Sequence, residues 1–264
     1  MDYKYECMSI TKGAVGLAYL METKNGVKLD IANLSLLEET KPITITQALC
    51  HYTGVENDAS FDYDEFMKLV KKEDVLKYAE NIFIKDYHKK YTISQFKYNN
   101  IVWRILVNRF YQITNVHVKD IIKLNIPGVS FETDTAGYMH GLNGMKMTLK
   151  TASVFAKWAE SILRYNKRRL LLYPKISRKE KFWGNLFGNK YNVHCFYGWF
   201  IATHIDNPNI PLAAVAVGFM SQFICIDLTR KKIIPGIQLR KEYWKEGNDS
   251  SVHNFAKDWI NEYN

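Results

Sequence analysis

The stretch Lys190–Leu228, KYNVHCFYGWFIATHIDNPNIPLAAVAVGFMSQFICIDL, is the most apolar run in the chain. Asn207-Pro208-Asn209 has the composition of a turn. Aromatic and β-branched residues, which favour strands, lie on both sides of it. The pattern predicts a core hairpin over 190–228 with Trp199 opposite Ala216, and its two apolar faces are typical of central strands covered on both sides.

A membrane hairpin is the alternative interpretation of the same stretch, since residues 210–226 carry no charge. A spanning helix needs about 20 consecutive apolar residues. Pro211, Gly218 and Gln222 interrupt this shorter run. The sequence therefore predicts a soluble core rather than a membrane span.

The rest of the chain predicts an α+β fold with a central, largely antiparallel sheet. Asn25-Gly26 between two apolar runs indicates an N-terminal hairpin, within a β-rich subregion over 1–58. A further strand is expected over 233–239. Residues 1–264 are expected to form a single domain, with a possible subdomain boundary near 125–134.

Helices are predicted where apolar residues recur every three or four positions. Three longer helices are expected over 61–88, 94–114 and 143–166, and a C-terminal amphipathic helix over 252–263.

The cellular compartment is expected to be the cytoplasm. Charged residues near the start of the sequence, such as Asp2 and Lys4, differ from the apolar run of a signal peptide. The four cysteines are widely spaced, which is typical of buried thiols in a reducing compartment.

Positive charge is concentrated in one segment. The chain has a net charge of +9, and Met145–Lys190 alone contains 12 basic and 2 acidic residues. Clustered Lys and Arg bind phosphates, and interleaved aromatic rings can stack on bases. The sequence therefore predicts a nucleic-acid-binding protein. The predicted contact residues are Lys146, Lys150, Arg164, Lys167, Arg168, Arg169, Lys175, Arg178, Lys179, Lys181 and Trp183.

Other interpretations of this charge remain open. The segment is also compatible with a non-enzymatic, inhibitor-like or immunity-like protein that recognises an acidic protein surface, or with a site for an anionic membrane. An ordinary solvated face is a further reading. A metal-dependent nuclease or another hydrolase would need carboxylates such as Asp134 or Asp206 to fold against the basic surface.

A glycine-rich loop offers a weaker anion site. Gly141-Leu-Asn-Gly144 precedes a predicted helix, whose N-terminus could hold an anion, but it lacks the ending of a phosphate-binding P-loop. No metal or cofactor site is predicted, because His194 and His204 are too far apart along one strand to share a metal.

Ser9-x-x-Lys12 has the form of a Ser–Lys acylation pair. Matches of four residues are common by chance, and no Gly-x-Ser-x-Gly or other catalytic motif accompanies this one. The sequence alone therefore leaves the catalytic residues unassigned.

Overall fold

The computed structural model consists of helices packed around an antiparallel sheet. It describes residues 3–28, 34, 43–55, 61–71, 75–87, 95–180, 182–219, 222–229, 235–239 and 257–261. The helices are α1 Ile10–Lys24, α2 Ile45–Leu49, α3 Tyr63–Leu69, α4 Leu76–Tyr87, α5 Val102–Thr114, α6 Val118–Asn125 and α7 Leu149–Tyr165. The strands are β1 Tyr5–Glu6, β2 Ser130–Phe131, β3 Met145–Met147, β4 Tyr191–Phe196, β5 Trp199–His204, β6 Asn207–Gly218, β7 Gln222–Asp227 and β8 Gly236–Gln238. Short 3₁₀ turns cover Lys167–Arg169 and Trp183–Asn185.

Strands β4 to β8 form a five-stranded sheet in which each strand pairs antiparallel with the next along the chain. Tyr197 and Gly198 join β4 to β5 with φ angles of 51° and 78°, the backbone that a two-residue hairpin turn requires. All residues of β4 and β7 are buried. A second, three-stranded sheet has the order β1-β3-β2.

The α+β class with an antiparallel sheet is confirmed. The prediction of a single strand before the 206–209 turn is wrong, because that part of the chain forms two strands, β4 and β5. Tyr197-Gly198 turns the chain in the middle of the predicted first strand. In the observed register Phe200 pairs with Val215, and the register shifts between Ala202 and His204.

The predicted N-terminal hairpin is wrong, because α1 occupies that position. All residues from Ile10 to Leu20 are buried, so this helix lacks the single apolar stripe by which a helix is recognised in a sequence. Asn25-Gly26 ends the helix, and Gly26 has a φ of 92°. Elsewhere in 1–58 the described residues form α2 and the two-residue strand β1.

The predicted helices have different boundaries in the structure. The region 61–88 holds two helices, α3 and α4, and the later two helices begin at Val102 and Leu149. At the C-terminus, residues 257–261 are helical, while the remainder of that predicted helix lies outside the described residues. The strand predicted over 233–239 includes the observed strand β8. Residues 233 and 234 lie outside the described residues.

Helix α1 lies at the centre of the molecule. On one side, Trp199 of β5 donates a hydrogen bond from Nε1 to the Gly13 carbonyl at 3.1 Å. On the other side, the Tyr19 hydroxyl donates to the Leu106 carbonyl of α5 at 2.6 Å. The buried apolar side chains form one continuous cluster. Because α1 is held from both sides, the position of its first turn is fixed by the sheet and by α5. Within the described part of the chain, no helix has the length and apolar character that a bilayer crossing demands.

We expect Gly16→Ala to destabilise the fold by about 3 kcal/mol, since overpacking against a rigid neighbour cannot be relieved by rotamer changes. A Cβ at Gly16 would lie 1.9 Å from the Tyr197 carbonyl oxygen, which is backbone. Urea unfolding measures the effect. Gly26→Ala is the control: its Cβ would meet nothing within 4 Å, so only its positive φ costs stability, about 1 kcal/mol. Equal losses in the two variants would contradict this close packing.

Candidate active site

Ser9 is the N-cap residue of α1, but its side chain makes no capping hydrogen bond. A serine at this position usually accepts a hydrogen bond from a backbone N–H in the first turn. Here the Oγ atom lies 2.7 Å from Lys12 Nζ and accepts a hydrogen bond from the Tyr98 hydroxyl at 3.0 Å. The hydroxyl is therefore held by two side chains rather than by the helix that it begins.

The backbone immediately before Ser9 is strained. Met8 has a φ of 46°, in the left-handed region that non-glycine residues rarely adopt. The flanking chain holds this conformation, because the Cys7 N–H donates to Met145 O at 2.8 Å and the Thr11 N–H donates to Met8 O at 3.0 Å. Strained backbone of this kind is concentrated at functional sites.

Lys12 lies three residues after Ser9, on the same face of α1. Its side chain is only 1% exposed, and Nζ donates to the Leu142 carbonyl at 3.2 Å. Burial lowers the pKa of Lys12 well below its ordinary value, because the charged form is deprived of water. An amine with a lowered pKa can accept a proton from a neighbouring hydroxyl near neutral pH.

The Tyr98 ring stacks on two other rings. The His51 centroid lies 4.6 Å from that of Tyr98, and Trp183 also stacks on Tyr98 at 4.6 Å. His51 is itself fixed, since its Nδ1 accepts a hydrogen bond from the Asn99 N–H at 3.0 Å. Burial, together with the nearby Lys12, lowers the pKa of His51. The phenol is therefore oriented toward Ser9 by its stacking contacts with both rings.

The end of β6 forms the next wall of the site. A Cβ at Gly218 would lie 2.8 Å from the Cys7 carbonyl and 3.3 Å from the Ile10 side chain. The strand thus passes directly beside the turn that carries Ser9. Glycine permits this close approach of two backbones.

The glycine-rich loop Gly141–Gly144 leads into a strand rather than into the predicted helix, and anion binding there stays a prediction. Gly141 and Gly144 have positive φ angles of 76° and 86°, but the strand β3 follows them, and α7 begins only at Leu149. No helix N-terminus therefore directly follows the loop. A Cβ at Gly141 would lie 2.4 Å from the Trp103 carbonyl, and this packing brings the Leu142 carbonyl to Lys12.

The predicted basic residues are spread over several elements, and some are paired. Lys146 forms an ion pair with Glu132 at 2.6 Å. Arg164 pairs with Glu160 at 2.8 Å and also donates to two backbone carbonyls. Other predicted contact residues have polar partners or lie on the surface: Lys175 donates to Asn192 Oδ1, Arg178 donates to the Asn189 carbonyl, Lys150 and Lys179 are exposed, and Lys181 lies outside the described residues.

Four of the predicted residues do meet in one place. Arg164, Lys167, Arg168 and Arg169 line a pocket of about 890 Å³, together with Lys24. Lys24 is the last residue of α1, whereas Ser9 precedes its first, and 15 helical residues span about 22 Å. The pocket is therefore distant from Ser9, and anion binding there stays a prediction. Of the predicted residues that the structure describes, Trp183 stacks on Tyr98, whose hydroxyl donates to Ser9.

The sequence shows the Ser9–Lys12 spacing without identifying it as a site, and it gives no indication of Tyr98. Ser9-x-x-Lys12 is visible in the sequence, but Tyr98 lies 89 residues away from Ser9, and no local pattern connects them. In the part of the chain that the structure describes, no group of three or more His, Cys, Asp or Glu side chains is placed to hold a metal ion.

Comparison with known proteins is informative only at the level of structure. The sequence matches no protein-family model and no curated protein. A penicillin-binding protein from Bacillus halodurans is similar with a TM-score of 0.66 and 15% identity, over 99% of this chain and 86% of that one. A β-lactamase/D-alanine carboxypeptidase from Yersinia pestis gives 0.63 and 9%, over 98% and 83%. Simvastatin synthase from Aspergillus terreus gives 0.59 and 13%, over 99% and 81%.

The chain therefore has the fold of the penicillin-binding proteins and β-lactamases. The prediction of a nucleic-acid-binding protein is wrong, and so is the alternative of a non-enzymatic partner-binding protein, because the structural neighbours are consistently of this hydrolase fold. The error has a physical cause. The prediction assumes that a charge surplus contiguous in sequence forms a single surface, whereas folding distributes the basic residues over several elements and pairs part of them with acids.

Proposed function

We propose that the protein is a serine hydrolase that cleaves a carboxylic ester or amide through an acyl-enzyme on Ser9. The observation that carries the proposal is the contact between Ser9 Oγ and the buried Lys12 amine at 2.7 Å. A nucleophile in hydrogen-bond contact with a base of lowered pKa is the arrangement that covalent catalysis requires. The fold supports the same proposal, since it is shared with penicillin-binding proteins and β-lactamases.

In the acylation step, neutral Lys12 takes the proton from Ser9 as Oγ attacks the substrate carbonyl. The resulting ammonium is stabilised by the Leu142 carbonyl and by the Tyr98 ring, whose centroid lies 5.1 Å from Nζ. The developing oxyanion lies near the N-terminus of α1, where the helix dipole favours negative charge.

Tyr98 completes the proton transfer. Its hydroxyl, 3.0 Å from Ser9 Oγ, gives its proton to the leaving group as the carbonyl–leaving-group bond breaks. Lys12 then returns its extra proton to the phenolate. In deacylation the direction is reversed: a water molecule attacks the acyl group, its proton passes to the base, and Ser9 Oγ leaves with a proton restored.

The substrate class depends on the motifs that accompany the Ser–Lys pair. In class A β-lactamases and penicillin-binding proteins the pair occurs with Ser-Asp-Asn and Lys-Thr-Gly motifs. This sequence contains neither tripeptide, and Tyr98 occupies the position beside the serine. We therefore propose open-chain esters and amides as substrates, in preference to β-lactams.

The proposal is tested with purified protein on p-nitrophenyl butyrate, ethyl butyrate and a chromogenic cephalosporin. We expect both esters to be hydrolysed, with an initial burst of p-nitrophenol equal to the enzyme concentration, because the acyl-enzyme accumulates. We expect much slower turnover of the cephalosporin. Absence of ester and amide hydrolysis above the uncatalysed rate would refute the proposed function.

We expect Tyr98→Phe to lower kcat for ethyl butyrate by about 10²-fold or more, the usual contribution of a general acid. The phenyl ring keeps the stacking on His51 and Trp183, so the free energy of unfolding should change by less than about 1 kcal/mol. Tyr3→Phe, at an exposed tyrosine, is the matched control. A Tyr98→Phe variant with wild-type kcat on the alkyl ester would show that the phenol transfers no proton.

A further inference from the structure

Trp183 connects the sheet to the proposed general acid. Its indole stacks on Phe200 of β5 with centroids 4.4 Å apart and an interplanar angle of 8°. The indole also stacks on Tyr98 at 4.6 Å and 19°. Because Tyr98 stacks in turn on His51, the four rings form one column linked by stacking contacts. Phe200 is nearly fully buried in a central strand, so the column is anchored on a rigid element.

The loop that carries Trp183, residues 176–190, is itself held in place. The Arg178 side chain donates to the Asn189 carbonyl at 2.6 Å and closes the loop. The Ile176 N–H donates to the Val193 carbonyl of β4 at 2.7 Å. A Cβ at Gly184, next to Trp183, would lie only 2.2 Å from the Ser177 carbonyl. These contacts fix the backbone from which the indole projects.

An ion pair attaches the same loop to the segment that carries Tyr98. Lys97 Nζ lies 3.2 Å from Glu180 Oε1, and Lys97 is the residue before Tyr98. The loop and the Tyr98 segment are therefore held together by two contacts: the Lys97–Glu180 ion pair and the stacking of Trp183 on Tyr98. Aromatic stacking of this kind favours one ring orientation by roughly tenfold or less.

We propose that Trp183 is a positioning residue that holds the Tyr98 hydroxyl at the leaving-group side of Ser9. The inference rests on the proposed function. It also defines the substrates for which Trp183 matters: alkyl esters and amides, whose leaving groups must be protonated as they depart. A p-nitrophenolate leaves as a stable anion and needs no such proton.

Leaving-group dependence tests the proposal. Trp183→Ala removes one stacking partner of the Tyr98 ring, so we expect kcat for ethyl butyrate to fall about tenfold, while kcat for p-nitrophenyl butyrate falls less than about threefold. Trp183→Phe, which keeps an aromatic ring at this position, should recover most of the loss. Trp158→Ala is the control, a partly buried tryptophan of α7 that lies outside the column.

A double-mutant cycle decides whether Trp183 acts through Tyr98. In the Tyr98→Phe background, Trp183→Ala should produce almost no further loss on ethyl butyrate, because the group that it positions is gone. Equal losses in both backgrounds, or equal losses on both esters, would overturn the inference while leaving the proposed function intact. Wild-type protein without activity on any ester or amide would refute the proposed function itself.

Discussion

Ser9→Ala is expected to abolish ester hydrolysis, with a loss of at least about 10³-fold in kcat, as removal of the nucleophile does in serine hydrolases. The fold should be retained. Because the Ser9 side chain makes no capping bond to α1, its removal takes away only the contacts to Lys12 and Tyr98. We therefore expect the free energy of unfolding to change by no more than about 1 kcal/mol.

The control for this variant is Ser153→Ala, at an exposed serine of α7 whose hydroxyl donates to the Leu149 carbonyl. It should keep full activity. Steady-state rates on ethyl butyrate, with urea unfolding of both variants, separate loss of chemistry from loss of fold. A Ser9→Ala protein with more than about a tenth of wild-type activity would exclude Ser9 as the nucleophile.

Lys12→Met is expected to lower activity without lowering the stability of the fold. We expect kcat to fall about 10³-fold, since the general base is removed. The fold should not be weakened at pH 7, because an uncharged side chain of similar length replaces an amine whose burial is costly. The substitution would leave the Leu142 carbonyl without the donor that Lys12 provides, which limits the gain in stability. Rates and urea midpoints of variant and wild type give both quantities.

The pH dependence follows from the lowered pKa of Lys12 in the folded state. Between that lowered pKa and the ordinary value of 10.5, the unfolded chain binds a proton that the folded chain does not, so wild-type stability rises with pH. The stability advantage of Lys12→Met should therefore shrink as pH rises through this window. Wild-type kcat/KM should fall as pH falls through the lowered pKa, because the ammonium cannot accept the Ser9 proton. A difference in unfolding free energy that is independent of pH would contradict a neutral Lys12.

The sequence predicts the elements that have one buried face and one exposed face. Helix α7 carries an apolar stripe and is recognised, though its predicted start falls six residues before Leu149. Helix α1 is buried along its first eleven residues and carries small side chains, so its pattern resembles a strand pair. The turn at Tyr197-Gly198 is also not recognisable in the sequence, because tyrosine rarely occupies the positive φ that it adopts here.

The active site was only partly predictable, for a related reason. Ser9 and Lys12 share one helical turn, and so their spacing is visible. Their chemistry depends on burial, which lowers the pKa of Lys12, and on Tyr98, which tertiary folding brings to Ser9 from 89 residues away. Neither the burial of Lys12 nor the contact between Tyr98 and Ser9 produces a recognisable pattern in the neighbouring sequence. The strongest compositional signal, the basic segment, describes a part of the surface that the proposed chemistry does not use, apart from Trp183.

The central claim is that Ser9 Oγ carries the acyl group. Reaction with an organophosphorus fluoride, followed by peptide mapping with mass spectrometry, tests this most directly. We predict one equivalent of adduct, located on Ser9, formed more slowly in Lys12→Met and absent from Ser9→Ala. An adduct on a different serine, or ester hydrolysis by a protein whose Ser9 remains unmodified after inactivation, would contradict the account.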